Sequence, residues 1–131
     1  APELSNEAHY YRAKAYLDAG KTDGAMEDLK ILAKDTRNVY GAEAKYKVAQ
    51  IYFDGGQTDK AEQEVLNYIE VSTPHTYWLA RSFVLLADVY MKLGRNLDAK
   101  QYLLSLKQNY QADDDIAGMI ESRLEKLKTE N

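Results

Sequence analysis

Apolar residues recur every three or four positions along nearly the whole chain, and glycines interrupt them at regular places. Over about 4–19, Leu4, Ala8, Tyr11, Ala15 and Tyr16 fall at helical spacing and predict a first helix. A second runs to about Asp35 and carries Met26, Leu29, Ile31, Leu32 and Ala33. The same pattern predicts helices over about 39–55, 59–72, 75–93 and 97–109. A seventh, over about 113–128, places Ile116, Met119, Ile120, Leu124 and Leu127 on one face. It opens on Asp113, Asp114 and Asp115 and closes on Lys126 and Lys128, which suits the helix macrodipole.

The interruptions share one frame. Tyr16, Tyr52 and Tyr90 each precede a glycine by four residues (Gly20, Gly56, Gly94), and Ala25, Ala61 and Ala99 follow it by five. The intervals are 56 − 20 = 36 and 94 − 56 = 38 residues. Self-similarity at this period marks units that bury their apolar faces only by stacking on one another. Each glycine suits the left-handed position that ends a helix, and Thr22 and Asn96 are placed to act as the N-caps of the helices that follow. The links between units are Thr36-Arg37-Asn38 and Ser72-Thr73-Pro74-His75, and the longer second interval is taken up there or at the flanking helix ends.

These residues resemble the tetratricopeptide (TPR) family over roughly 6–111. The family's small residue of helix A is Ala13, Ala49 and Ala87, and its aromatic is Tyr16, Tyr52 and Tyr90. Its helix B alanine is Ala25, Ala61 and Ala99, followed by Leu29, Val65 and Leu103. Departures are Leu32, Tyr68 and Leu106 at the second helix B alanine, and His9 and Lys45 at a large apolar position that only Phe83 fills. The resemblance implies an all-α right-handed TPR superhelix, a single domain over 1–131. Its repeats would lie at about 6–38, 42–75 and 80–111, with a capping helix over about 113–128. The long intervals are similar to those of bacterial envelope TPR proteins of the outer-membrane-assembly and Tol-Pal-associated type. That likeness implies a periplasmic or envelope location, with the cytoplasm as the alternative.

The resemblance also implies a non-catalytic scaffold whose A helices line a groove for a protein partner. The groove-facing positions would be Glu7, Tyr10, Lys14, Leu17 and Asp18; then Glu43, Tyr46, Gln50 and Phe53; then Arg81, Val84, Asp88 and Met91. Two apolar columns follow, Tyr10/Tyr46/Val84 and Leu17/Phe53/Met91, of the kind that takes an extended peptide or a partner helix. Packing between repeats would use the same stripes. The basic clamp of chaperone-binding TPR domains is missing, since Gln50 separates Lys14 from Arg81. The other reading is a structural or self-assembling segment of a longer solenoid, and the start at Ala1-Pro2-Glu3 agrees with an excised piece.

Composition narrows the chemistry further. A net charge of −4 with acid and base interleaved disfavours nucleic acid. No apolar run reaches the ~20 residues of a membrane span, and there is no cysteine. His9 and His75 lie in different repeats without metal-ligand spacing, and the Asp113–Asp115 run lacks the glycine turn and distal glutamate of a calcium loop. No phosphate loop or nucleophile motif occurs, so no cofactor, metal or catalytic residue is expected. Tyr10-Tyr11 and Tyr77-Trp78 read as packing between repeats, with Trp78 covering a junction.

Overall fold

The computed structural model describes residues 4–129, all-helical apart from turns and links. The helices are α1 (Asn6–Asp18), α2 (Thr22–Leu32), α3 (Val39–Asp54), α4 (Thr58–Glu70), α5 (Thr76–Lys92), α6 (Asn96–Asn109) and α7 (Ile116–Thr129). They form helix A/helix B pairs α1/α2, α3/α4 and α5/α6, then a last helix. The chain divides into two compact units, one up to Leu79 and one from Ala80.

One backbone turn joins A to B in every pair. Gly20, Gly56 and Gly94 adopt φ of 73°, 79° and 76°, where an L side chain is strained. The N–H of Gly20 donates to Leu17 O and that of Lys21 to Tyr16 O, at 3.1 and 2.8 Å. Gly56/Gln57 repeat this on Phe53 and Tyr52, and Gly94/Arg95 on Met91 and Tyr90. This double bond pattern is the Schellman motif. The next helix begins at once, because the N–H groups of Ala25, Ala61 and Ala99 donate to the carbonyls of Lys21, Gln57 and Arg95.

The caps therefore differ from expectation. Thr22 and Asn96 are not N-caps; they and Thr58 are the first residues of their helices. The cap positions hold Lys21, Gln57 and Arg95, none with a side-chain cap bond, since the tight turn starts each helix one residue early. Side-chain caps occur where a B-to-A link or a looser start leaves room. Ser5 accepts from Ala8 N–H at 3.1 Å, and Asn38 from the N–H groups of Tyr40 and Gly41. The seventh helix begins at Ile116, not near residue 113. Asp114 lies ahead of it and accepts the Ile116 N–H at 2.9 Å.

In the first unit, Ala13, Ala25, Leu29, Leu32, Ala44 and Val48 form one buried core shared by α1, α2 and α3. The two links are tied to each other. Thr36 Oγ1 donates to Ser72 O at 2.8 Å, Thr73 Oγ1 donates to Thr36 O at 2.7 Å, and His75 Nε2 donates to Arg37 O at 3.0 Å. Gly41 sits so close to the end of the preceding helix that a Cβ there would overlap the carbonyl oxygens of Asp35 and Leu32. In the second unit, α6 packs on α7, and Leu85, Leu86, Leu103, Ile116 and Ile120 are all buried.

Candidate functional site

The expected groove positions separate into three groups once their surroundings are traced. The first apolar column is occupied by stacking between repeats. The Tyr10 ring lies 4.6 Å from that of Tyr40, at the start of the next A helix, and Tyr46 stands in the same way 5.7 Å from Trp78. The two pairs occupy equivalent positions, since 46 − 10 = 36 and 78 − 40 = 38. Tyr46 is only 6 % exposed and Val84 only 3 %, which leaves little surface for a ligand.

Hydrogen bonds hold this column in place. Tyr10 Oη donates to the Glu43 carboxylate, 3.0 Å from each oxygen. Burial, reinforced by that bond, pushes the Tyr10 phenol up to about 12. Lys14 and Lys47 lie over the ring at 5.5 and 5.8 Å. Tyr46 Oη donates to Gln50 Oε1 and Gln50 Nε2 to Asp54 Oδ1, each at 2.8 Å, so Gln50 serves the helix surface it stands on.

The second column keeps open area. Leu17, Phe53 and Met91 are all half-buried, at matching places in their helices. Leu17 also lines a cleft of about 650 Å³ in the first unit, with Met26, Ile51 and Tyr52 as its other apolar walls. Asp23, Lys30, Asp54 and Lys60 ring it, and Lys30 and Lys60 lie over the Tyr52 ring at 5.6 and 5.7 Å. An apolar floor with charges of both signs at its edge can hold an aliphatic or aromatic side chain while orienting its polar flanks.

The third group is polar. Lys14 is exposed and Arg81 half-buried. The Asp88 carboxylate is taken by Arg123 of α7, with Nε to Oδ1 at 2.8 Å and Nη2 to Oδ2 at 3.0 Å.

Sequence reasoning missed the polar pairs inside the repeats. The buried Asp28 accepts from Arg12 Nε and Nη2 at 2.8 and 2.7 Å and from His9 Nδ1 at 2.8 Å. Lys45 pairs with Glu64 at 2.6 Å. Among the described residues, no buried side-chain polar atom lacks a partner and no group of His, Cys, Asp and Glu is placed to hold a metal ion. None of the described helices is long and apolar enough to cross a membrane.

Residues 7–35 match one family model and residues 80–110 another, and both models are described as tetratricopeptide repeat. The chain thus carries tetratricopeptide repeats, in an all-helical repeat architecture. Repeats of this family generally mediate protein–protein contact. No curated protein and no solved structure matches the chain.

Proposed function

We propose that the protein is a non-catalytic interaction module that holds an extended peptide or a partner helix against its A helices. The observation that carries this reading is the contrast between the two apolar columns. Tyr10 and Tyr46 are committed to ring stacking, whereas Leu17 and Phe53 of the first unit keep exposed apolar area at one register. Exposed Lys14, Asp18 and Asp54 stand beside the first two of them. Apolar anchors bordered by charge give a peptide both affinity and register. The 36- and 38-residue intervals favour an envelope-type TPR protein, which cell fractionation of the full-length protein tests directly.

Selection of peptides from a displayed library tests the groove. Wild type should enrich a peptide family with apolar residues at regular spacing. A Leu17→Asp/Phe53→Asp variant, verified as helical, should lose those peptides by at least about tenfold in affinity. Equal binding by both would remove the A-helix surface as the site.

A further inference from the structure

A cavity of about 360 Å³ opens in the first unit where α2, α3 and α4 meet. Its charged lining is Lys30, Lys34, Lys45 and Glu64, with Asn67 beside them, and Ala33, Val48 and Val71 are its apolar walls. Lys45 is only 8 % exposed, and its Nζ donates to Glu64 Oε1 at 2.6 Å and to Asn67 Oδ1 at 2.5 Å. An ammonium carries three N–H donors, so one of them has no partner among the described residues. The Asn67 Nδ2 and Lys34 Nζ groups likewise make no bond there, and Lys30 has only the Tyr52 ring. Three lysines against one glutamate leave the lining two positive charges in excess, since 3 − 1 = 2.

The other repeats fill the equivalent place from within. In the first, the Asp28 carboxylate takes His9 and both bonds of Arg12. In the third, the rings of Phe83 and Tyr102 stand where Lys45 and Glu64 stand in the second. Val48 occupies the position of Arg12 in the second repeat, 36 residues on. A short branched side chain there replaces a long guanidinium, so the Lys45–Glu64 pair is not closed over by a further side chain and lines a cavity instead. Unfilled donors with excess positive charge, set against apolar walls, suit an anion with an aliphatic body.

We propose that this cavity is a binding site for a short aliphatic dianion, in its simplest form a dicarboxylate. One carboxylate accepts from Lys45 and Asn67 and the other from Lys30 and Lys34, while the carbon chain between them lies on Ala33 and Val48. Lys30 and Lys34 are four residues apart in sequence, which puts them on one side of the α2 end. None of the residues proposed above to hold a peptide lines this cavity, so neither reading depends on the other.

Succinate titrated into the full chain tests this, with the methyl resonances of Ala33, Val48 and Val71 as the readout. Saturable shifts at these methyls are expected, and succinamide, the uncharged diamide, should produce none. Lys30→Gln/Lys34→Gln alters exposed side chains only and should weaken succinate binding about tenfold. Lys45→Met, shown to be helical, should abolish saturation; if it does not fold, the double glutamine variant decides alone. The proposal is overturned if succinate gives no saturable shift, if the diamide moves the same methyls equally, or if either variant binds as wild type does. An equal response to sodium chloride at matched ionic strength overturns it as well, because that is screening of surface charge.

Discussion

His9 Nδ1 lies 2.8 Å from Asp28 Oδ1, and the two positions this pair occupies face each other in every repeat. In the second repeat they hold Lys45 and Glu64, in contact at 2.6 Å. In the third they hold Phe83 and Tyr102, with ring centroids 6.3 Å apart. The separation is 19 residues each time, since 64 − 45 and 102 − 83 equal 28 − 9. One contact between helix A and helix B is thus filled by a histidine–carboxylate pair, a lysine–carboxylate pair and an aromatic pair. The departures at His9 and Lys45 are complementary substitutions, not packing defects.

Asp28 should carry a measurable acid dependence. Its carboxyl is held below the usual carboxylate range, chiefly by the Arg12 hydrogen bonds, against the opposing effect of burial and with help from His9. The folded state therefore binds this proton less readily than the unfolded state. The associated stability is complete above about pH 4 and falls as the pH drops below that value. Asp28→Asn should lower stability by about 2 kcal/mol at neutral pH and flatten the acid limb. Urea midpoints of wild type and variant across that range check this; parallel curves would place the acid sensitivity elsewhere.

Two glycine-to-alanine changes should move in opposite directions. At Gly41 the new methyl meets the Asp35 and Leu32 carbonyls, and α3 must shift to admit it. A loss of about 1–3 kcal/mol is expected. At Gly118, in α7, nothing lies within 4 Å, and helix propensity alone should add about 0.5 kcal/mol. Thermal melts of the two variants beside wild type give both signs in one experiment.

The Tyr68 hydroxyl is a buried donor to Ala42 O at 3.0 Å. Tyr68→Phe should cost about 1 kcal/mol by leaving that carbonyl one bond short. Burial pushes the phenol up to about 12. The folded state keeps this proton longer than the unfolded state, so the stability is full below about pH 10 and is lost as the pH rises toward 12. Alkaline unfolding followed by tyrosinate absorbance should begin at higher pH in the phenylalanine variant, which has no proton to lose there.

Arg123 and Asp88 form a two-bond pair joining α7 to α5. With both side chains about a quarter exposed, Arg123→Ala should cost about 1 kcal/mol. A double-mutant cycle with Asp88→Ala should recover most of that as coupling. A cycle that closes without coupling would show that α7 is held by Ile116, Ile120 and Leu127 alone.

What the sequence discloses depends on whether main chain or side chain decides. The Tyr16–Gly20–Ala25 frame is legible because each member marks a backbone event: a carbonyl that accepts, a positive φ, and an N–H that starts the next helix. The N-caps are misread because Thr22 and Asn96 have the right chemistry one position too late, and only the geometry of the turn reveals that. Tyr10 and Tyr46 fall at the right helical register for a groove. Whether a ring there meets solvent or the next helix depends on how closely the helices approach, which periodicity does not encode. The pairs His9–Asp28 and Lys45–Glu64 carry a usable signal in their constant 19-residue separation, visible only when copies are aligned position by position.

The turn between helix A and helix B has a consequence for how such a chain can diversify. It is closed by carbonyls, amides and one glycine, so Lys21-Thr22-Asp23, Gln57-Thr58-Asp59 and Arg95-Asn96-Leu97 build the same joint from different side chains. Those triplets are interchangeable parts. Duplicated copies can drift in charge and polarity along that edge without rebuilding the hinge that shapes them, so recognition features can change there while the architecture stays constant.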